Sequence, residues 1–240
     1  HSNKAPGPDG FNAHFFKNCW PIVGPLVIKA VKEFFCTGEL LKESNSTIIS
    51  LIPKIPNPSA INEFRPISCC NTIYKCISKL ISNRIQGVLP DLIGESQSAF
   101  IKGRKISDNV LLAQDLLRDY HKKSGHPRVA AKVDLMKAYD TVNWEFLFDL
   151  LHTLNFPPIM VGWIRACVSS PTFSINVNGE SVGYFPGARG LRQGDLMSPY
   201  LFVIIMDFLD QLLYYNISTN PMFKYHWKCD KLDICPSVLC

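Results

Sequence analysis

The stretch Val129-Ala130-Ala131-Lys132-Val133-Asp134-Leu135-Met136-Lys137-Ala138-Tyr139-Asp140 places a carboxylate after a short, mostly apolar run. An aromatic and a second carboxylate follow at a fixed distance. The pattern predicts a strand that ends at Asp134. A carboxylate at the end of a buried strand is costly unless something pairs with it, and a hard cation such as Mg²⁺ is an economical partner. Read this way, Asp134 holds a divalent ion at a phosphoryl-transfer site. The rest of the chain should then supply phosphate-binding basic groups and further carboxylates. Standing alone, the residue is better read as an N-cap or a surface aspartate at a strand end.

The 240 residues, 47% of them hydrophobic, suffice for one large domain or two small ones with a real core. No basic segment followed by an apolar one opens the sequence, so the reading predicts a protein that is not secreted. The longest strongly apolar run, Tyr200 to Met206, falls far short of the ~20 residues of a bilayer span, so no membrane partner is expected. Nine scattered cysteines predict reduced, mostly buried thiols in an intracellular protein. His226, Cys229, Cys235 and Cys240 match no common zinc spacing. Residues 1–132 carry 18 Lys and Arg against 10 Asp and Glu, whereas residues 133–240 carry 7 against 10. A basic first half beside a mildly acidic second half suggests a polyanion-binding region joined to a carboxylate-bearing one, although a solvated basic surface gives the same asymmetry.

Along the chain, residues 1–10 form a Pro/Gly turn segment. Helical patterns are predicted from about Ala13 to Cys36, with interruptions near Pro21 and Pro25. Others are predicted over Ile67 to Val88, over Val110 to Tyr120 behind Ser107 or Asp108 as N-cap, over Asn143 to Leu154 and over about Ser198 to Tyr215. Ser46 to Pro53 reads as a strand stopped by proline. Thr172 to Val177 and Ser181 to Phe185 read as a hairpin around Asn178-Gly179.

A second chemical motif is the loop Gly187-Ala188-Arg189-Gly190-Leu191-Arg192-Gln193-Gly194-Asp195, followed by Ser198-Pro199 at a helix start. Its glycines let backbone approach a ligand, Gln193 can hydrogen-bond a sugar or base edge, and Arg189 and Arg192 can meet phosphates. Basic residues also stand beside structure breakers: Lys54 after Ile52-Pro53, Arg65 before Pro66, and Lys102, Arg104 and Lys105 around Gly103. Such placements can aim charge at a triphosphate or a nucleic-acid backbone. Taken singly, each is more simply an exposed surface charge.

Together these blocks resemble, in order and over essentially the whole chain, the reverse transcriptase domain of non-LTR (LINE-type) retrotransposons, the plant representatives in particular. The blocks are Lys4 to Gly10, Phe64-Arg65-Pro66-Ile67-Ser68, Gln97 to Arg104 with Asp108-Asn109, Asp134 to Asp140 (motif A), and Gly190 to Asp195 with Ser198-Pro199 (motif B). The resemblance implies an α+β right-hand polymerase fold. Helix-rich fingers would occupy residues 1–127, and an incomplete palm with an antiparallel sheet residues 128–240, with Asp134 on one strand and the 172–185 hairpin nearby. It implies that Asp134 is a catalytic metal ligand and that Tyr139 lies beneath the incoming sugar, excluding a ribose 2′-OH. Gln193 and Gly194 would line the nucleotide pocket, Lys54 and Arg65 would contact the triphosphate, and Lys102, Arg104, Arg189 and Arg192 would contact nucleic acid. Two Mg²⁺ ions, an RNA template, a DNA primer and dNTPs are the implied cofactors and partners, with nuclear action.

Two departures bear on activity. Leu196-Met197 stands where the family usually has Pro-Leu. No Asp-Asp pair, the core of the family's motif C, occurs in the sequence, and Lys231 to Cys240 looks like the strand leading into it. The first expectation is therefore an RNA-directed DNA polymerase domain in the complete protein. The second is a catalytically incomplete nucleic-acid-binding relic. An RNA-templated RNA polymerase shares the site logic, but Tyr139 argues against it.

Overall fold

The run Thr47-Ile48-Ile49-Ser50-Leu51-Ile52 forms the strand that its β-branched residues predict. In the computed structural model, which describes residues 5–118, 130–220 and 222, this strand lies inside a sheet assembled from distant parts of the sequence. The elements in chain order are α1 (Ala13–Asn18), α2 (Trp20–Thr37), α3 (Lys42–Asn45), β1 (Ser46–Pro53), β2 (Phe64–Cys70), α4 (Thr72–Leu92) and α5 (Ile106–Leu117). They continue with α6 (Ala138–Thr141), α7 (Trp144–Thr153), α8 (Pro158–Ser169), β3 (Thr172–Val177), β4 (Glu180–Pro186) and α9 (Ser198–Ser218). A 3-10 turn, Ile61–Glu63, precedes β2.

The chain divides into two compact units, residues 1–83 with 137–199, and residues 84–136 with 200–240. Each therefore draws on both halves of the sequence. The boundary expected at residue 127 falls outside the described residues.

The first unit holds the sheet, in the order β2-β1-β3-β4. β1 pairs antiparallel with β2, Thr47 opposite Cys70 and Pro53 opposite Phe64. It pairs parallel with β3, Ser46 opposite Thr172. β3 pairs antiparallel with β4, Val177 opposite Glu180. The sheet is thus mixed rather than antiparallel. Pro66 and Pro186 lie in its two edge strands, where no ladder donor is lost. The β3–β4 turn has Asn178 at φ 53° and Gly179 at φ 90°, the left-handed pair that the Asn-Gly sequence predicts. Tyr74, Ile77, Ile81, Leu147, Phe148, Leu151, Ile164 and Met197 are buried in this unit. α7 starts where predicted, Asn143 Oδ1 accepting the Phe146 N–H at 3.1 Å.

In the second unit Ile85, Leu89, Ile93, Ile101, Leu201, Val203 and Ile204 are buried. α9 is the one helix among the described residues long and apolar enough, by length and composition, to cross a membrane. Its Asp207 and Asp210 are buried. Asp207 Oδ1 accepts the Gly94 N–H at 2.8 Å, and Asp210 Oδ2 accepts the Ser96 hydroxyl at 2.7 Å. These two bonds tie the middle of α9 to the segment that follows α4, while Leu212 to Tyr215, farther along the helix, are exposed.

Four sequence expectations are corrected. The helix predicted over Ile67 to Val88 begins only at Thr72, because Phe64–Cys70 is taken up as β2. Pairing with β1 outweighs the helical spacing, and buried Asn71 marks the break, its Nδ2 donating to Glu43 O at 2.8 Å. α5 begins at Ile106, ahead of both predicted caps. α2 continues through Pro25. The strand predicted to end at Asp134 is not formed: residues 130–135 have no regular structure, and Val133 and Met136 are 76% and 84% exposed. A strand needs a partner edge. Lys231 to Cys240, which reads as the strand leading into motif C, lies outside the described residues, as do His226, Cys229 and Cys235. α8 was not anticipated, although Met160, Val161, Ile164, Cys167 and Val168 recur at helical spacing behind Pro157-Pro158.

The hairpin turn gives a direct stability test. Gly179→Ala places a Cβ at positive φ and should lower the unfolding free energy by about 1 kcal/mol in urea denaturation, with the m-value unchanged.

Candidate nucleotide and nucleic-acid site

Three of the sequence blocks meet in the first unit through backbone hydrogen bonds. Leu191 N–H donates to Tyr139 O at 2.8 Å, Gly190 N–H to Val142 O at 2.8 Å, and Ser68 N–H to Gln193 O at 2.8 Å. The indole of Trp144 donates to Gly190 O at 2.7 Å. The loop of residues 187–195 is therefore sewn to the Tyr139–Val142 turn on one side and to β2 on the other. Gly190 sits at φ 92°, and a Cβ there would stand 2.9 Å from Asp140 O, so only glycine allows this approach. Gly194, at φ 100°, is less tightly placed, a Cβ there standing 3.3 Å from Ser68 O.

The five residues predicted to bind the nucleotide lie in this unit. Gln193 and Tyr139 are half-buried and Gly194 is exposed. Burial raises the Tyr139 hydroxyl above its ordinary pKa, so it stays protonated across the physiological range. Arg65 is exposed on β2, three residues from Ser68, or about 10 Å along the strand. Lys54 is exposed just past β1, and its Nζ donates to Asn62 O at 2.8 Å. The loop that carries Lys54 is shaped by Glu63, whose Oε2 accepts the Ser59 N–H at 2.6 Å and the Ala60 N–H at 3.1 Å. These backbone donors, Ser59 first, hold the Glu63 carboxyl below its ordinary pKa. Its contribution is thus present at neutral pH and fades as pH falls through that lowered value.

Two of the predicted nucleic-acid contacts, Arg192 and Arg104, have guanidinium groups engaged by the protein. Arg192 is 8% exposed, and its guanidinium is committed to protein. Nη1 donates to Asn45 Oδ1 at 2.8 Å and Thr47 Oγ1 at 3.0 Å, and Nη2 donates to Cys167 O at 2.9 Å. Cζ lies 4.0 Å from the Tyr74 ring centroid. At 8% exposure Arg192 presents little surface to a phosphate. Arg104, in the second unit, is held in a similar way. Its guanidinium donates to the carbonyls of Pro90, Ile93, Gly94 and Gln97, and so closes the C-terminal end of α4. Both are arginines because a planar fork can serve several acceptors at once. Arg189 and Lys102 are exposed. Burial raises the thiol pKa of Cys70 and Cys167 near Arg192, which keeps both as neutral packing groups.

The metal question turns on donors. Asp134 is an exposed carboxylate on an irregular segment of the second unit, and Asp140 is exposed in the first. A two-ion site needs several carboxylate oxygens converging within a few ångströms. Among the described residues, no group of three or more His, Cys, Asp or Glu side chains is placed to hold a metal. The donors among the described residues do not fit a two-ion site.

Comparison with known proteins defines the class. Residues 52–226 match the family described as "Reverse transcriptase (RNA-dependent DNA polymerase)", and the chain belongs to that family. Its relatives are retrotransposon proteins of the non-LTR kind. It is 33% identical over 205 residues to the "Transposon TX1 uncharacterized 149 kDa protein" of Xenopus laevis, covering 85% of this chain and 16% of that protein. It is 25% identical over 205 residues to the Pol polyprotein from type-2 retrotransposable element R2DM of Drosophila melanogaster, covering 85% and 19%. It is 26% identical over 203 residues to the Pol polyprotein from type-1 retrotransposable element R2 of Nasonia vitripennis, again covering 85% and 19%. The chain spans less than a fifth of the length of each.

The two arginines of the loop should separate cleanly in stability measurements. Arg192→Ala removes the buried donor to Asn45 Oδ1 and one of the two donors to Cys167 O, Asn45 Nδ2 being the other, and should cost about 3–5 kcal/mol, whereas Arg189→Ala should stay within about 0.5 kcal/mol. Equal effects in urea denaturation would contradict the burial of Arg192.

Proposed function

We propose that this chain forms the nucleotide- and template-facing part of an RNA-directed DNA polymerase, the reverse transcriptase of a non-LTR retrotransposon acting in the nucleus. The carrying observation is the seam that joins Ser68 on β2, the Tyr139–Val142 turn and the Gln193–Gly194 loop by three 2.8 Å backbone hydrogen bonds. In this reading the fold is a right hand, with fingers over residues 1–127 and part of a palm over 128–240. A primer 3′-OH attacks the α-phosphate of a dNTP, forming a new phosphodiester bond and releasing pyrophosphate. Tyr139 presents its ring against the incoming sugar and leaves no room for a 2′-OH. Gln193 and Gly194 line the slot for the nucleotide and its template base. Lys54 and Arg65, on the β1–β2 hairpin, offer positive charge to the triphosphate. Arg189 and Lys102 contact the nucleic-acid backbone. The Mg²⁺ ions of this chemistry need carboxylates besides Asp134, and no Asp-Asp pair occurs in the sequence.

That shortage of carboxylates favours a second reading for the 240 residues by themselves, a module that binds template and primer without chemistry. Its binding should weaken steeply with salt, and a Lys102→Ala, Arg189→Ala double variant should lower both affinity and salt slope.

Three measurements test these readings. The 240-residue chain should give no primer extension on an RNA template. Extension that is lost on Asp134→Ala would overturn that expectation. In the complete retrotransposon protein, extension should occur and Asp134→Ala should abolish it. There, Tyr139→Ala should raise ribonucleotide incorporation by about tenfold or more, because one steric contact carries the sugar discrimination. Unchanged sugar selectivity would remove Tyr139 from that role.

A further inference from the structure

Two buried, oppositely charged side chains bracket the Gln193–Gly194 step. On the N-terminal side is Arg192, fixed to Asn45, Thr47 and Cys167. On the C-terminal side is Asp195, 6% exposed, with both oxygens occupied. Tyr74 OH donates to Oδ2 at 2.9 Å. Ser78 OH donates to Oδ1 at 2.6 Å, and the Leu196 N–H donates to the same oxygen at 2.8 Å. Three donors offset the cost of burying this carboxylate. Tyr74, fully buried on α4, touches both brackets: its hydroxyl meets Asp195 and its ring face meets Arg192. Burial, the largest influence, pushes the Tyr74 hydroxyl well above its ordinary pKa, so it remains a donor. Between the brackets, Gln193 O is pinned by the Ser68 N–H. The Gln193–Gly194 step is thus held between two neighbours whose side chains are anchored by buried, charge-assisted bonds.

We propose that Tyr74 and Asp195 are positioning residues that fix the Gln193–Gly194 backbone, and thereby set how tightly the nucleotide slot discriminates its substrate. The proposal rests on the role given above to Gln193 and Gly194. Neither Tyr74 nor Asp195 touches substrate. They act by holding the groups that do, and a shift of about 1 Å in such groups costs far more in selectivity than in stability. A side chain that merely supports the core would affect the amount of folded protein and leave the slot unchanged.

Tyr74→Phe is the deciding variant, because it keeps the ring beneath Arg192 and removes only the hydroxyl. In the 240-residue chain, hydrogen exchange at the Ser68 and Leu196 amides should accelerate by about tenfold or more, while amides of α7 and α8 stay within about twofold. Uniform acceleration through α7 and α8, or no acceleration at Ser68 and Leu196, would overturn the proposal. Ser78→Ala, which removes one donor to the other carboxylate oxygen, should act on the same amides and decides the question if Tyr74→Phe does not fold. In the complete protein, Tyr74→Phe should raise KM for the dNTP and the misinsertion ratio about fivefold or more, with kcat within about twofold. A fall in kcat at constant KM would mark a purely structural role and overturn the proposal. A complete wild-type protein that extends no primer would instead overturn the polymerase reading, and the exchange measurement would still decide whether the loop is held in this way.

Discussion

The Arg192 guanidinium is the interaction on which the first unit depends. It ties the start of β1, through Asn45 and Thr47, to the carbonyl of Cys167 in α8 and to the ring of Tyr74 on α4. Three elements far apart in sequence thus share one cation. A buried charge is tolerable only when its donors are matched. Here the acceptors are two side-chain oxygens and one backbone carbonyl, with an aromatic face covering the guanidinium plane. Asp195, on the other side of Tyr74, supplies the opposite charge and is saturated by its own donors.

This arrangement divides the loop of residues 187–195 by task. Arg192 and Asp195 point inward and build the scaffold, while Arg189 remains at the surface and Gln193 and Gly194 lie along the seam with β2. The same division recurs in the second unit. Arg104 closes the end of α4 on four backbone carbonyls, and Lys102, two residues away, stays exposed. In both blocks the branched, multi-donor arginine does the structural work and a nearby cation stays in solvent. The blocks that identify the family are therefore not simply lists of substrate contacts. Part of each holds the other part still.

Local features were readable in the sequence wherever short-range chemistry determines them. Asn143 caps α7, Asn178-Gly179 turns the β3–β4 hairpin, and the β-branched run from Thr47 makes β1. The five ordered blocks pointed to the reverse transcriptase family, to which the chain belongs. Long-range pairing was not readable. Phe64–Cys70 had a helical-looking continuation yet became a strand, because β1 offered it a ladder. The segment before Asp134 had a strand's composition, but the described residues give it no edge to pair with. Tyr74 carried no signal at all, since one aromatic on the buried face of a helix looks like any other core residue.

The sequence by itself determined the chemical inventory: a carboxylate and an aromatic in one block, a Gly-Arg-Gln loop in another, basic residues beside turns, and their order along the chain. Only the tertiary structure decided which members of that inventory face solvent and which are buried. Arg189 and Arg192 are the same residue type three positions apart in one loop, and nothing local separates them. Burial is fixed by acceptors brought from Asn45, Thr47 and Cys167, more than twenty residues away in sequence. An arginine is inside a protein when distant partners meet all its donors, and their positions exist only after the chain has folded.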